Sequence, residues 1–216
     1  MDLSPALRTN GAVRAFTDQP VDDATLHAVL DTARFAPSGG NRQPWRVAVV
    51  RDGETRREMG SLMRLVWDEY VAANATGVTA FAFGRSIDAP PVAAQNGLLD
   101  AIETVPVVLA IAADLRNIAM MDGNLDRPPI TGGASIYPFC WSILLAGREH
   151  GLGGVLTTFL SRREPAIASR LALPDDHALA AVIFLGHPTR QNTELRRNPV
   201  NSFATIDRFD GDSFGA

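Results

Sequence analysis

The 216-residue chain has a single cysteine, Cys140, so no intramolecular disulfide can form and nothing points to an oxidising compartment. It also lacks an excess of basic charge. The net charge of -4 leaves no electrostatic footprint for nucleic acid. The N-terminus shows no basic segment followed by an apolar run, so no signal peptide is expected. Apolar runs are interrupted well short of a bilayer span, so no transmembrane helix is expected either. The four histidines, His27, His150, His177 and His187, show no metal-ligand spacing. A cytoplasmic protein with neither nucleic acid nor membrane as partner is the default. What remains is ordinary globular usage, 46% hydrophobic and 20% charged, at a length that one domain can bury. No repeat, low-complexity tract or linker divides it, and residues 1–216 read as one domain.

Periodicity places the elements. Residues 3–10 read as a short helix with Ser4 as N-cap and Pro5 at the first helical position, ended by Gly11. Asp22 starts a second helix in which Leu26, Val29, Leu30 and Ala33 fall at i, i+3, i+4 and i+7. Residues 46–50 read as a strand, and 54–75 as a long helix whose stripe of Met59, Leu62, Met63, Val66 and Tyr70 suits core packing. Residues 76–104, broken by Gly77, Gly84, Ala89-Pro90-Pro91 and Gly97, read as loop with short helical pieces. The apolar run 107–113 is a central strand, 134–150 a buried helix, and 155–160 and 179–185 two more strands. Ser161 and Glu164 have capping-box spacing for a short helix ending near Leu173-Pro174. Loosely alternating helices and strands support one mixed helix–sheet layer fold.

Between the second helix and first strand lies Ala36-Pro37-Ser38-Gly39-Gly40-Asn41-Arg42-Gln43-Pro44-Trp45. Pro37 ends the helix, and Gly39-Gly40 lets backbone turn and approach a ligand. Ser38, Asn41 and Gln43 add uncharged hydrogen-bonding groups suited to the edges of a flat heterocycle. Other local patterns fail on context. Gly151-Leu152-Gly153 lacks the third glycine of a dinucleotide loop, having Leu156 there, and runs from helix to strand. Asp122 to Asp126 echoes half a calcium loop, but Arg127 stands at the glycine position and Gly133 at the twelfth. Ala36-Pro37-Ser38-Gly39-Gly40 is one residue from a nucleophile elbow, but it follows a helix and precedes a strand, the reverse of that turn. Cys140 falls on a buried helix, where thiols are inert packing. No nucleophile, metal ligand or general base stands out, as expected where a bound cofactor carries the chemistry.

The decapeptide resembles the signature of the nitroreductase family of FMN flavoproteins. Arg14-Ala15-Phe16, Gly151-Leu152-Gly153, Leu173-Pro174, Gly186-His187-Pro188 and Arg197-Asn198-Pro199 match further elements of that family in order. The resemblance implies an α+β fold with a central mixed sheet, helices on both faces, and an interlocked homodimer with FMN at the interface. It implies FMN contacts from Asn10, Gly11, Ala12, Val13 and Arg14, and from Pro37, Ser38, Gly39, Asn41 and Gln43 of the neighbouring chain. Leu156, Thr157 and Thr158 would line the ring, and Arg197 would hold the phosphate. Asn10 and Ala12 depart from the family's Arg and Ser, so one phosphate cation and one hydroxyl are missing or replaced, with Arg8 a candidate replacement. Residues 76–104 would form part of a substrate cover.

The implied activity is hydride transfer from NAD(P)H, through FMN, to an electron-poor small-molecule acceptor such as a nitroaromatic, quinone or enone. No side chain is expected to be catalytic in its own right, and no metal is expected. Two alternatives stay open: a flavoenzyme that dehalogenates reductively or destroys its own flavin, and a flavin-binding protein without turnover.

Overall fold

The computed structural model describes residues 2–77, 79–82 and 90–215. Its elements are α1 (Leu3–Thr9), α2 (Asp23–Ala33), β1 (Trp45–Val49), α3 (Gly53–Ala75), α4 (Gly97–Asp100), β2 (Val107–Asp114), α5 (Tyr137–Glu149), β3 (Gly153–Thr157), α6 (Glu164–Ile167) and β4 (His177–Gly186). The strands form one sheet in the order β1-β2-β4-β3.

Strand alternation builds two cores from one sheet. Val107, Leu109, Ile111 and Ala113 of β2 and Ala181, Ile183 and Leu185 of β4 face α2 and α5. Val108 and Ala110 of β2 and Val182 and Phe184 of β4 face the other way, onto Met59 and Met63 of α3 and Leu98 and Leu99 of α4. Pairing shifts between Ile111 and Ala112, whose partners are Ala181 and Leu179. The extra residue, Ala180, reverses the side-chain phase, so Leu179 joins the α3 side although Ala181 faces α5. The expected α+β class and helices on both faces are thus present. The strand directions differ from the expected mixed sheet: every described ladder is antiparallel.

The local signals hold unevenly. Asp22 caps α2 by accepting from the Thr25 amide at 2.7 Å, as expected. Asp52 does the same for α3 through Thr55 at 2.7 Å. Helix α1 begins one residue before Ser4, with Asp2 at the cap position and no side-chain cap bond. The Ser161–Glu164 box does not form. Residues Phe159–Arg163 make a 3-10 turn, and the Glu164 carboxylate accepts instead from the Leu179 amide at the start of β4. Of the breakers noted within 76–104, Gly84 and Ala89 lie outside the described residues.

Glycine is required where β3 meets β4. A Cβ on Gly154 would lie 2.4 Å from the Phe184 carbonyl oxygen and 2.5 Å from Leu185 Cδ2. Gly151 ends α5 with φ of 70°, and the Leu152 amide donates to the Gly147 carbonyl at 2.9 Å, closing the turn into β3. Cys140 is fully buried between α5 and the sheet, and burial pushes its thiol up to about 12.

Candidate functional site

Two irregular segments lie antiparallel against the start of β3. The Val13 amide donates to the Gly154 carbonyl at 2.9 Å. Thr17 donates to His187 at 2.8 Å, Thr189 donates to Ala15 at 3.1 Å, and Phe16 bridges to Pro188. The Asn192 side chain donates to the Ala12 carbonyl at 3.3 Å. Close contact is built in: a Cβ on Gly153 would meet Val13 at 2.7 Å, and one on Gly11 would meet Asn192 at 2.5 Å. Residues 12–15 and 189–192 are thereby fixed side by side at the β3 edge.

A cavity of about 850 Å³ opens there, within the size range of roughly 300–1,000 Å³ usual for small-molecule sites. Ala12, Val13, Arg14 and Ala15 form one wall, with Thr189, Arg190 and Asn192 beside them. Val155 to Phe159 form the floor, and Gln95 to Leu99, leading into α4, form a third side. The remaining wall is aromatic. Trp67 and Tyr70 of α3 stack at 5.8 Å between ring centroids, and Phe159 lies 6.0 Å from Trp67 and 5.8 Å from Tyr70. Glu69 holds this wall in place by pairing with Arg162 at 3.1 Å and Arg163 at 2.6 Å. Trp67 Nε1 is buried and has no hydrogen-bond partner among the described residues.

Among the described residues the lining carries two arginines and one tyrosine, and no Asp, Glu, His or Cys. Such a surface can bind and orient a planar anion, but it offers no carboxylate or imidazole for acid–base work and no thiol nucleophile. Among the described residues no group of three or more His, Cys, Asp and Glu could hold a metal ion. Among them, too, no helix is long and apolar enough to cross a membrane.

The nitroreductase family model matches residues 8–187. This chain belongs to the nitroreductase family. Nitrobenzene nitroreductase of Ectopseudomonas oleovorans is 28% identical over 198 residues, covering 85% of this chain and 86% of that protein. 5,6-Dimethylbenzimidazole synthase of Rhodospirillum rubrum is 28% identical over 191 residues, covering 86% and 82%. The NADPH:FMN oxidoreductase from Vibrio harveyi complexed with NAD+ superposes with a TM-score of 0.68 at 18% identity, over 95% of this chain and 76% of that one. The last shows a shared nitroreductase fold.

Of the residues that the nitroreductase resemblance singled out, Ala12, Val13, Arg14, Leu156, Thr157 and Thr158 meet at the cavity. Asn10 and Gly11 lie just behind that wall. Asn10 is buried and its amide nitrogen has no partner among the described residues. Arg197 is exposed and does not line the cavity, and its Nη1 donates to the Arg196 carbonyl at 2.7 Å. Arg8 is likewise exposed and outside the lining.

Pro37, Ser38, Gly39, Asn41 and Gln43 sit elsewhere. Their loop enters β1, the edge strand opposite β3, roughly 14 Å across the sheet at about 4.8 Å per strand step. The Ser38 hydroxyl accepts from the Gln43 amide at 3.0 Å, and the Gly39 amide donates to the Ser135 hydroxyl at 3.1 Å. Asn41 and Gln43 hold positive φ of 52° and 48°. Holding non-glycine residues in that region costs on the order of 1 kcal/mol or more each. The two hydrogen bonds hold the loop in this shape while most of its residues remain exposed.

Sequence reasoning missed Trp67, Tyr70, Phe159, Thr189, Arg190 and Asn192. The change in the α3 stripe from methionine to aromatic residues was the available signal for the first two. Met59, Met63 and Val66 pack in the core as expected, while Trp67 and Tyr70 reach the cavity.

Proposed function

We propose that this chain is an FMN-dependent oxidoreductase that takes reducing equivalents from NAD(P)H and delivers them to an electron-poor aromatic or quinonoid compound. A cavity with cations and an aromatic wall, but no carboxylate, imidazole or thiol among its described lining residues, carries this reading. The residues fit the cofactor. Arg14 and Arg190 suit a phosphorylated ligand, Thr157 and Thr158 offer hydroxyls beside the floor, and buried Trp67 Nε1 and Asn10 Nδ2 are donors still awaiting acceptors. FMN, when bound, supplies a ring that accepts hydride from a reduced nicotinamide and passes two electrons to a second compound. The chain's own part is to bind, orient and exclude water. Trp67, Tyr70 and Phe159 give a flat apolar face for a planar acceptor. The nitrobenzene-reducing relative and the solved NADPH:FMN oxidoreductase support this assignment.

The account includes a homodimer in which the Ser38 loop of one chain completes the cavity of the other. Two features support it. The loop lies at the sheet edge opposite its own chain's cavity, and exposed apolar groups gather where nothing among the described residues covers them. Ile130, Tyr137 and Trp141 border an apolar hollow of about 810 Å³, and Phe203, Ile206, Phe209 and Phe214 project from the C-terminal tail. Light scattering at monomer mass for the flavin-loaded protein would refute it.

Anaerobic mixing of the flavin-loaded protein with NADH or NADPH, followed by a nitroaromatic or quinone, tests the activity. Bleaching of the flavin band by a nicotinamide and its return with the acceptor are expected. A second reading, in which the flavin itself is consumed, stays open because the matched relatives include a synthase as well as reductases. Loss of the flavin chromophore under reductant and air, with no recovery, would select that reading.

A further inference from the structure

The departures at Asn10 and Ala12 remove a cation and a hydroxyl from the segment that faces a phosphorylated ligand. Asn10 is neutral and 6% exposed, so its side chain brings no charge to the cavity. Ala12 lines the cavity with a methyl group alone. The antiparallel partner segment supplies a cation at the same wall. Thr189 and Arg190 line the cavity directly beside Arg14 and Ala15, and the Thr189 amide and hydroxyl both donate to the Ala15 carbonyl, at 3.1 and 3.3 Å.

The pairing of charges, taken with the cavity lining, points to the same residue. Most described arginines are engaged by carboxylates or backbone carbonyls. Arg56, for instance, donates to the carbonyls of Val50, Glu103 and Val105. Arg14 and Arg190 have no acidic or carbonyl partner among the described residues; Arg8, Arg42 and Arg196 share this, but among the described residues only Arg14 and Arg190 are arginines that line the cavity. A pair of unneutralised guanidinium groups on one wall is a site for a dianion, since each can make charge-assisted, often bidentate hydrogen bonds to phosphate oxygens. Arg197, by contrast, is exposed, outside the lining and bonded to its neighbour's carbonyl.

We infer that Arg190 is the phosphate-binding residue of this chain, standing in for the basic residue absent at Asn10. This rests on the FMN reading of the cavity. It differs from the assignment of the phosphate to Arg197.

Titrating FMN and riboflavin into flavin-free wild type, Arg190→Ala, Arg190→Gln and Arg197→Ala tests it, with fluorescence quenching as the readout. Loss of a charge-assisted hydrogen bond should weaken FMN binding about 10- to 100-fold in both Arg190 variants. Riboflavin, which lacks the phosphate, should bind all four proteins about equally, which also shows that the variants are folded. Arg197→Ala should hold FMN within a few-fold of wild type. If the Arg190 variants bind FMN like wild type, lose both flavins equally, or lose less than Arg197→Ala, the assignment is wrong while the flavin reading stands. If wild type binds neither flavin, the flavin reading fails and takes the assignment with it.

Discussion

Gly154→Ala is the substitution that most directly probes how the site is built. The new methyl group would sit 2.4 Å from the Phe184 carbonyl oxygen, 2.5 Å from Leu185 Cδ2 and 3.0 Å from Leu144 Cδ2. Leu185 and Leu144 are side chains and can give way. The Phe184 carbonyl is backbone within the central ladder of β4 and cannot, so β3 must move. Overpacking a well-packed region costs roughly 1–3 kcal/mol, and a backbone obstacle places this case near the upper end. For a domain of this size that corresponds to a fall in Tm of roughly 6–12 °C. The Gly154 carbonyl also accepts from Val13, and the strand leads into Leu156 and Thr157 on the cavity floor. Flavin affinity should therefore fall together with stability. Gly153→Ala makes the contrast, because its methyl group meets the side chains of Val13 at 2.7 Å and Gln191 at 3.1 Å. It should disturb the cavity wall with a smaller effect on Tm. Thermal unfolding followed by circular dichroism, with a flavin titration on each variant, checks both. A Tm for Gly154→Ala within a degree or two of wild type would refute the reasoning.

Two further predictions concern titration. Hydrogen bonds to the ionised form hold Asp114 and Asp122 below the usual carboxylate range, led by Arg116 for Asp114 and by the Thr131 hydroxyl and Ile130 amide for Asp122. Their folded pKa values lie below the unfolded ones, so the unfolded chain binds more protons. Their stabilisation is complete above about pH 4 and is lost as pH falls below that. Urea unfolding between roughly pH 7 and pH 3 should show the decline, and Asp122→Asn should make it shallower. An unchanged profile in the variant would count against the loop geometry at Asp122. Cys140, with its thiol pushed up to about 12 by burial, should resist a thiol reagent near about pH 8 in the native protein. It should react once in denaturant, and fast native labelling would contradict its packing between α5 and the sheet.

Much of the architecture is legible because it is local. The Asp22 cap, the i, i+3, i+4 stripe of α2, and the continuous apolar run of β2 each state their structure within a few residues. The Ser161–Glu164 pattern was equally local and failed, because the Leu179 amide of β4, fifteen positions away, takes the Glu164 carboxylate. Ala180 gave no sign of reversing the phase of β4, since an alanine suits either face. The site divides in the same way. Arg14, Thr157 and Thr158 come from motif resemblance and do meet at the cavity. Arg190 and Asn192 lie in a stretch without periodicity, and they reach the site only through pairing with residues 12–17, far away in sequence. Spacing cannot reveal a wall made by two irregular segments laid side by side.

The most direct test of the account is a titration of FMN into the flavin-free full-length protein, read by quenching of flavin fluorescence and by tryptophan emission. Trp67 lies on the cavity wall, so both signals should saturate together at one FMN per chain, and replacing Trp67 with Phe should remove most of the tryptophan response. Saturable binding with that signature is the result expected. Flavin fluorescence that stays unquenched at micromolar protein, or that responds without any change at Trp67, would contradict the claim that this cavity is the flavin site.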